Sequence, residues 1–337
     1  MIPKSFRIEF LARRRDFITL LGGAAAVCFS SALAQQPGRV WQIGILHGIP
    51  PEASTGVAAF RQRLSELGYL EGQNTTIEYR WSDQADRLPL LAAALTEMKV
   101  DIIVVGDGTT AKAAKQATRE IPIVVAVFTD DPVAAGLAVS LGHPGGNVTG
   151  ISLFAPEMSG KRLELLRDIV PHLMRVAVLW TPQSAAHPAL LRAAHQAAHE
   201  LGIDLVQIEV SGPNDIENAF DLIMRERVDA VAALQGVEFY RIRARIAELG
   251  LKHRMPIITG EDGFARLGGL VQYGPSPTEN WRQAANYLDK ILKGSKPADL
   301  PIAQPTIIEL IINLRTAKAL GLDVPLFLQQ RADEVIE

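Results

Sequence analysis

The chain has 337 residues, of which 48% are hydrophobic and 21% are charged, a composition typical of a globular protein with enough apolar material for two domains. Its formal net charge of −3 gives no reason to expect a nucleic-acid partner. The only cysteine is Cys28, so the chain beyond it can form neither a disulfide nor a thiolate metal site.

The first 34 residues are typical of an export signal. Three arginines at 13–15 precede an apolar run over 17–29, and the Ala-Leu-Ala sequence at 32–34 matches a cleavage site. The arginine pair followed by Asp-Phe-Ile resembles a Tat signal, so we predict a cleaved, Tat-like signal peptide over 1–34 and a periplasmic mature protein. An N-terminal membrane anchor is the alternative, but the apolar run is short for a bilayer span.

Beyond residue 38, short apolar strands alternate with amphipathic helices. Strands are predicted at 39–48, 75–81, 100–108 and 121–128, and apolar residues recur at helical spacing between them. Continuous apolar strands separated by helices indicate parallel sheets that are covered on both faces.

The same order begins again near residue 175. Strands are predicted at 175–180, 203–210, 228–236 and 255–262, and "VDAVAALQG" in this half matches "VDIIVVGDG" in the first half. The pattern predicts an α/β protein with two similar doubly wound parallel-sheet lobes. A ligand then binds in the cleft at the carboxyl ends of the strands. Two unrelated α/β domains without a shared cleft are the alternative.

The C-terminal part is expected to cross between the lobes. A strand at 268–274, a helix at 276–294 and a strand running into a short helix over 305–325 follow the two repeats. We therefore expect discontinuous lobes. Lobe 1 contains residues 35–149 and about 262–304, and lobe 2 contains residues 150–261 and about 305–337.

Three segments carry a resemblance to a known family. They are "GDGTTAKAAKQATREIPIVV" (106–125), "DPVAAGLAVSLGHPGGNVTG" (131–150) and "LIINLRTAKALGLDVP" (310–325). In these segments the chain resembles the type I periplasmic substrate-binding proteins of ABC importers, specifically the TrpX-like group associated with aromatic amino acids. The resemblance implies a Venus-flytrap fold with three hinge crossings, a small-molecule ligand and an ABC permease as partner. It also implies a monomer without a cofactor or catalytic activity. In such a fold, 131–150 lies at the lobe junction, with a short apolar element followed by a glycine-rich connection.

Candidate ligand contacts in the first half lie at the ends of predicted strands. Glycines after the third strand permit close backbone approach, and a threonine hydroxyl at the following helix N-terminus suits a carboxylate. At the end of the fourth strand, the ring of Phe128 suits an aromatic group of a ligand, and the carboxylate of Asp130 suits a ligand's ammonium group. An ordinary capped strand–turn–helix connection remains the alternative for each. The candidates are His47, Gly48, Gly106, Asp107, Gly108, Thr109, Thr110, Phe128, Thr129 and Asp130.

The second half supplies candidates at equivalent strand ends. Trp180 is the strongest of them, although a large aromatic side chain there is equally consistent with core packing. The candidates are Phe154, Trp180, Gln235, Gly236 and Glu261, together with Tyr273 near a proposed crossing.

The sequence matches the motifs of common enzymes and metal sites only weakly. His195 and His199 have the spacing of metal ligands, but no third ligand accompanies them and their predicted position is the outer face of a helix. No nucleophile elbow, P-loop or dinucleotide-binding glycine pattern follows a strand. We therefore predict an exported solute receptor for an amino acid or related carboxylate, aromatic ones included, with no metal. An exported α/β enzyme and a two-lobed sensor domain are the alternatives.

Overall fold

The computed structural model describes residues 39–153, 155–212 and 215–337. The predicted signal peptide over 1–34 and the candidate Phe154 lie outside these ranges. No helix within them combines the length and the apolar character that crossing a bilayer requires.

The first sheet consists of five strands, all in parallel pairs. The strands are β1 (Trp41–His47), β2 (Thr75–Trp81), β3 (Ile102–Val105), β4 (Ile123–Phe128) and β5 (Val148–Ser152), and their order is β2-β1-β3-β4-β5. Helices α1 (Thr55–Glu66), α2 (Leu88–Glu97) and α3 (Gly108–Ala117) connect the first four strands.

Helices cover both faces of this sheet. Successive side chains of a strand point to opposite faces, so Ile102 packs in one core with Phe60 of α1, whereas Ile103 packs in another core with Leu95 of α2. Burial on both faces is the reason that these strands are apolar throughout rather than alternating.

The second sheet has seven strands. They are β6 (Arg175–Trp180), β7 (Asp204–Glu209), β8 (Ala230–Ala233), β9 (Ile257–Thr259), β10 (Val271–Pro275), β11 (Ile308–Asn313) and β12 (Glu334–Ile336), in the order β12-β11-β10-β9-β8-β6-β7. The β10–β11 pair is antiparallel and the other pairs are parallel. The predicted α/β class is confirmed, and the antiparallel pair is an addition that the repeat pattern did not indicate.

Helices cover this sheet on both faces as well. They are α4 (Glu157–Ile169), α5 (His187–Leu201), α6 (Ile216–Glu226) and α7 (Val237–Lys252), followed after two further crossings by α9 (Leu314–Leu320) and α10 (Leu326–Arg331). Phe220 and Phe239 anchor the core under α6 and α7, whereas Leu166 and Leu328 lie in the core on the opposite face.

Helix α8 (Pro277–Leu292) returns the chain to the first sheet. Its apolar face, which includes Trp281 and Leu288, packs with Phe60 in the core of that sheet. Strand β10 is held in the second sheet by its pairing with β9 and β11. The crossing therefore falls between Pro275 and Pro277, later than the predicted boundary near residue 262. Similarly, β5 keeps the first sheet continuous to Ser152, beyond the predicted boundary at residue 149.

Residues 131–150 form a connection built mainly from turns rather than a helix. Asp131 Oδ1 accepts a hydrogen bond from the backbone N–H of Val133 at 2.8 Å. Leu137 is buried, but Val139 is 76% exposed. Only part of the apolar run over 133–141 therefore packs against the core. The connection ends at β5, which completes the first sheet before the chain crosses to α4.

Gly150 in β5 is expected to tolerate no side chain. Its φ of +149° is unfavourable for other residues, and an added Cβ would overlap the carbonyl oxygen of Val125 in β4. We expect Gly150→Ala to lower the free energy of unfolding by about 3 kcal/mol, because backbone strain and overlap act together.

Urea unfolding followed by circular dichroism measures this loss. Gly146→Ala is the matched control, because an added Cβ there meets no atom within 4 Å. Its effect should stay below about 0.5 kcal/mol. Equal stabilities of the two variants would show that the close approach of β4 and β5 is not a constraint.

Candidate ligand-binding cleft

A cavity of about 130 Å³ lies between the carboxyl ends of the two sheets. This volume is well above the roughly 10–15 Å³ that one water molecule needs. Loops after β1, β3 and β4 and the first turn of α1 form its first-lobe side. Loops after β8 and β9, together with the first turn of α7, form its second-lobe side, and α8 completes the wall.

The structure brings part of the predicted set together in this cavity. The predicted residues that line it are His47, Gly48, Gly106, Asp107, Thr129, Gln235, Gly236 and Glu261. Among the described candidates, those that do not line it are Gly108, Thr109, Thr110, Phe128, Asp130, Trp180 and Tyr273.

The threonines after β3 serve the helix rather than the cavity. Thr110 is completely buried, and its Oγ1 accepts the backbone N–H of Asp107 at 3.0 Å. Asp107 Oδ1 in turn accepts the backbone N–H of Thr110 at 2.8 Å, which completes a reciprocal cap on α3. Thr109 is exposed. The cap therefore comes from Asp107, whose carboxylate is held at the cavity wall.

The aromatic residues that were predicted to contact the ligand pack in hydrophobic clusters instead. Phe128 is 1% exposed and belongs to the core on the α2–α3 face of the first sheet. Trp180 packs against the cluster that contains Leu190, and Tyr273 packs on the core of the second sheet. Strand side chains point to the faces of a sheet, and at these three positions the ring packs on a face that other residues cover, which sequence position alone did not reveal.

Trp281 and His47 form the aromatic wall of the cavity. Their ring centroids lie 5.3 Å apart at an interplanar angle of 57°, and Trp281 meets Phe60 edge-on at 5.9 Å. Gly56 and Gly106 make room for this pair, because a Cβ at either position would overlap the Trp281 or His47 ring. Burial lowers the pKa of His47, so its imidazole is neutral at pH 7.

Sequence reasoning missed the residues that helices bring to the cavity. They are Ser54, Thr55, Gly56, Val237, Tyr240, Arg241, Pro277 and Trp281. The available signal was that each lies in or next to the first turns of a helix that follows a strand, and those turns face the cleft in parallel α/β sheets. Val127 of β4 and the loop residues Ile49, Leu153 and Asp262 were missed as well.

Two helix N-termini open onto the cavity. In α1, Ser54 Oγ accepts the backbone N–H of Val57 at 3.2 Å, and the following Thr55 and Gly56 line the cavity. In α7, the first residue Val237 lines the cavity and no side chain caps the helix. Unbonded N–H groups of a first helical turn favour an anionic group such as a carboxylate.

A buried polar network supports the second-lobe side. Glu261 accepts the backbone N–H of Gly236 at 2.7 Å, and Arg162 donates to Gln235 Oε1 at 3.1 Å and to the carbonyl of Tyr273 at 2.9 Å. Burial raises the pKa of Glu261 to about 8 and lowers that of Arg162 to about 10. The network thus keeps two ionisable groups beside the cavity at low solvent exposure.

Hydrogen bonds join the lobes across the cleft. Asp130 Oδ1, after β4, accepts from the backbone N–H of Ala186 at 3.2 Å and from Ser184 Oγ at 3.4 Å, just before α5. Arg241 of α7 donates to the carbonyl of Asp83 at 3.4 Å. The lobes therefore lie in a closed arrangement. Asp130, predicted as an ammonium partner, instead binds the N-terminal end of α5.

His187, at the start of α5, stabilises the loop ends beside this contact. Its Nδ1 accepts the backbone N–H of Thr181 at 2.9 Å, so Nε2 carries the proton and donates to the carbonyl of Gln235 at 3.2 Å. Burial lowers its pKa to about 4, which keeps the ring neutral.

The histidine pair on α5 lies away from the cleft. His195 and His199 are exposed, and His195 Nε2 lies 2.6 Å from Nε2 of Gln207. Within the described ranges, no three His, Cys, Asp or Glu side chains are grouped so that they could hold a metal ion.

Comparison with known proteins gives three relevant likenesses. A family model described as ABC transporter substrate binding protein matches residues 45–336. A tyrosine-binding protein of Clostridioides difficile (strain R20291) is 26% identical over 275 residues, which cover 81% of this chain and 78% of that protein. A domain from Streptococcus pneumoniae solved in complex with L-Trp is 23% identical, with a TM-score of 0.81, and the match covers 88% of this chain and all of that one.

A second solved structure supports the same fold. The ligand-free, open structure of a substrate-binding protein from Clostridium difficile is 24% identical, with a TM-score of 0.71 over 88% of this chain and 99% of that one. The type I periplasmic-binding fold expected from the sequence is thus confirmed.

Removal of the Asp130 contact should open the lobes. We expect Asp130→Ala to raise the ratio of open to closed molecules about fivefold, because a lost hydrogen bond costs about 1 kcal/mol. Small-angle X-ray scattering would detect this as a larger radius of gyration. Asp130→Asn keeps an acceptor oxygen and should open less. A radius unchanged in Asp130→Ala would mean that the contact does not influence closure.

Proposed function

Because the chain belongs to the family of ABC transporter substrate-binding proteins, we propose that it captures an aromatic amino acid between its lobes and presents the closed form to an importer permease. Members of this family bind substrates and are not enzymes. The observation that carries the proposal is a cavity with an aromatic wall, three acids (Asp107, Glu261 and Asp262) and two helix N-termini.

Each part of an amino acid zwitterion has a complementary group in the cavity. The aromatic ring of the ligand packs against Trp281 and His47, because offset or edge-on aromatic contacts are favourable. The carboxylate binds the N-terminal turn of α1 at Thr55 and Gly56. The ammonium binds Asp107, which the α3 cap holds in position.

The relatives support an aromatic ligand. One is described as a tyrosine-binding protein, and the pneumococcal domain was solved with L-Trp. A ligand that contacts both lobes stabilises the closed arrangement, whereas a ligand that contacts one lobe does not. The Tat-like signal and the family support export to the periplasm, where the protein acts as a monomer with its permease.

Ligand identification tests the proposal directly. The chain from residue 35 onward is purified, denatured, and its released small molecules are identified by mass spectrometry. Calorimetric titration then compares L-tyrosine, L-tryptophan and L-phenylalanine with L-leucine and D-galactose. We expect at least one aromatic amino acid to bind with a Kd of about 1 μM or tighter. Tighter binding of leucine or galactose than of all three aromatic amino acids would refute the proposal.

Asp107→Asn tests the position of the ammonium. Asparagine is as good a helix cap as aspartate, so α3 should remain intact while the charge is lost. We expect affinity for the aromatic amino acid to fall about tenfold to a hundredfold.

Asp229→Asn is the matched control. Asp229 Oδ2 also accepts backbone N–H groups, from Met174 at 2.9 Å and Arg175 at 2.8 Å, but it lies at the amino end of the second sheet, away from the cavity. This control should leave the affinity unchanged. An unchanged affinity in Asp107→Asn would assign the ammonium to another acid.

A further inference from the structure

Glu261 is a buried acid in the second-lobe wall of the cavity. It is 4% exposed and follows β9, and its Oε1 accepts the backbone N–H of Gly236 at 2.7 Å. Within the described residues, its carboxyl group forms no ion pair and no second hydrogen bond. One oxygen is therefore held by the main chain, and the other remains available to a group in the cavity.

The basic side chains that act on Glu261 are engaged elsewhere. Arg162 of α4 donates from Nε to the carbonyl of Tyr273 at 2.9 Å. Arg243 of α7 donates to the carbonyl of Tyr240 at 2.5 Å and lies over the ring of that tyrosine. Within the part of the chain that the structure describes, neither arginine forms an ion pair with Glu261, although both act on its charge.

Burial dominates the protonation state of Glu261. Loss of hydration raises its pKa to about 8, although the Gly236 N–H, Arg162 and Arg243 act in the opposite direction. Glu238 on α7 adds a further upward effect. At neutral pH the carboxyl group is therefore mostly protonated unless a cation lies next to it.

We propose that Glu261 is the second-lobe partner of the ligand's ammonium group and that it releases its proton to solvent when the ligand binds. This inference rests on the proposed function, because it requires a ligand with an ammonium group. The carboxyl O–H bond breaks, the proton passes to water, and an ammonium–carboxylate ion pair forms. A cation next to a buried carboxylate favours the charged form of that carboxylate.

The same contact explains why an ammonium favours closure. Asp107 approaches the cavity from the first lobe and Glu261 from the second. A cation between them interacts with an acid from each lobe, which stabilises the arrangement in which both are near. A ligand without the ammonium leaves Glu261 protonated and loses this link between the lobes.

Calorimetry in buffers of different ionisation enthalpy measures the proton. With L-tyrosine or L-tryptophan, whichever binds, we expect the wild-type protein to release up to roughly one proton per ligand at about pH 7. Because only the bound state favours ionised Glu261, affinity should improve by up to about tenfold per pH unit from about pH 6 to about pH 8 and then level off.

Two protein variants and one ligand analogue identify the source of the proton. Glu261→Gln preserves an acceptor for the Gly236 N–H and should bind more weakly, without proton release and without the pH dependence. Glu248→Gln removes a charge from an ion pair with Arg245 on the exposed side of α7 and should behave as wild type. The des-amino analogue of the amino acid should bind the wild-type protein without releasing a proton. Thermal melts show that each variant is folded.

The outcomes separate this inference from the proposed function. If no aromatic amino acid binds, the proposed function fails. If one binds to the wild-type protein without a change in proton number, only the assignment of Glu261 fails. Proton release that persists in Glu261→Gln and disappears in Glu238→Gln would also overturn the assignment, because burial also raises the pKa of Glu238, which follows the cavity-lining Val237 in α7.

Discussion

The cleft depends on the return of helix α8 to the first sheet. This return brings Trp281 against Phe60 in the core and against His47 at the cavity wall. Gly56 and Gly106 are required at the contact because any side chain there would occupy the space of these rings. Helix α8 follows β10 of the second lobe and yet forms part of the first-lobe wall of the cavity. The geometry of the site therefore depends on where the chain crosses between the lobes.

The electrostatics of the cleft follow from the same geometry. Asp107 and Glu261 are each held by a backbone N–H near a helix start, one in each lobe. Fixed carboxyl groups lose little conformational entropy when a cation arrives, which is the basis of preorganised binding. The carboxylate of Asp130 also accepts a backbone N–H, but this N–H belongs to the N-terminal end of a helix in the opposite lobe.

Much of the candidate site could be predicted because strand ends in parallel α/β sheets meet at one edge. His47, Gly106 and Gln235 line the cavity for this reason. Thr110 and Phe128 also lie at or shortly after strand ends, yet Thr110 completes a helix cap and Phe128 packs in the core. Strand position predicts proximity to the cleft, whereas side-chain direction depends on local hydrogen bonds and on packing.

The sequence by itself determined the α/β class, the repeated lobe pattern and the family, because apolar periodicity and local motifs are properties of neighbouring residues. Only the tertiary structure decided that β10 stays in the second sheet, that Trp281 closes the cavity and that Asp130 bridges the lobes. Helical spacing shows which face of α8 is buried but not which partner covers it. Contacts between residues far apart in the chain are set by sheet order and by the approach of the lobes, and neither is encoded in a local pattern.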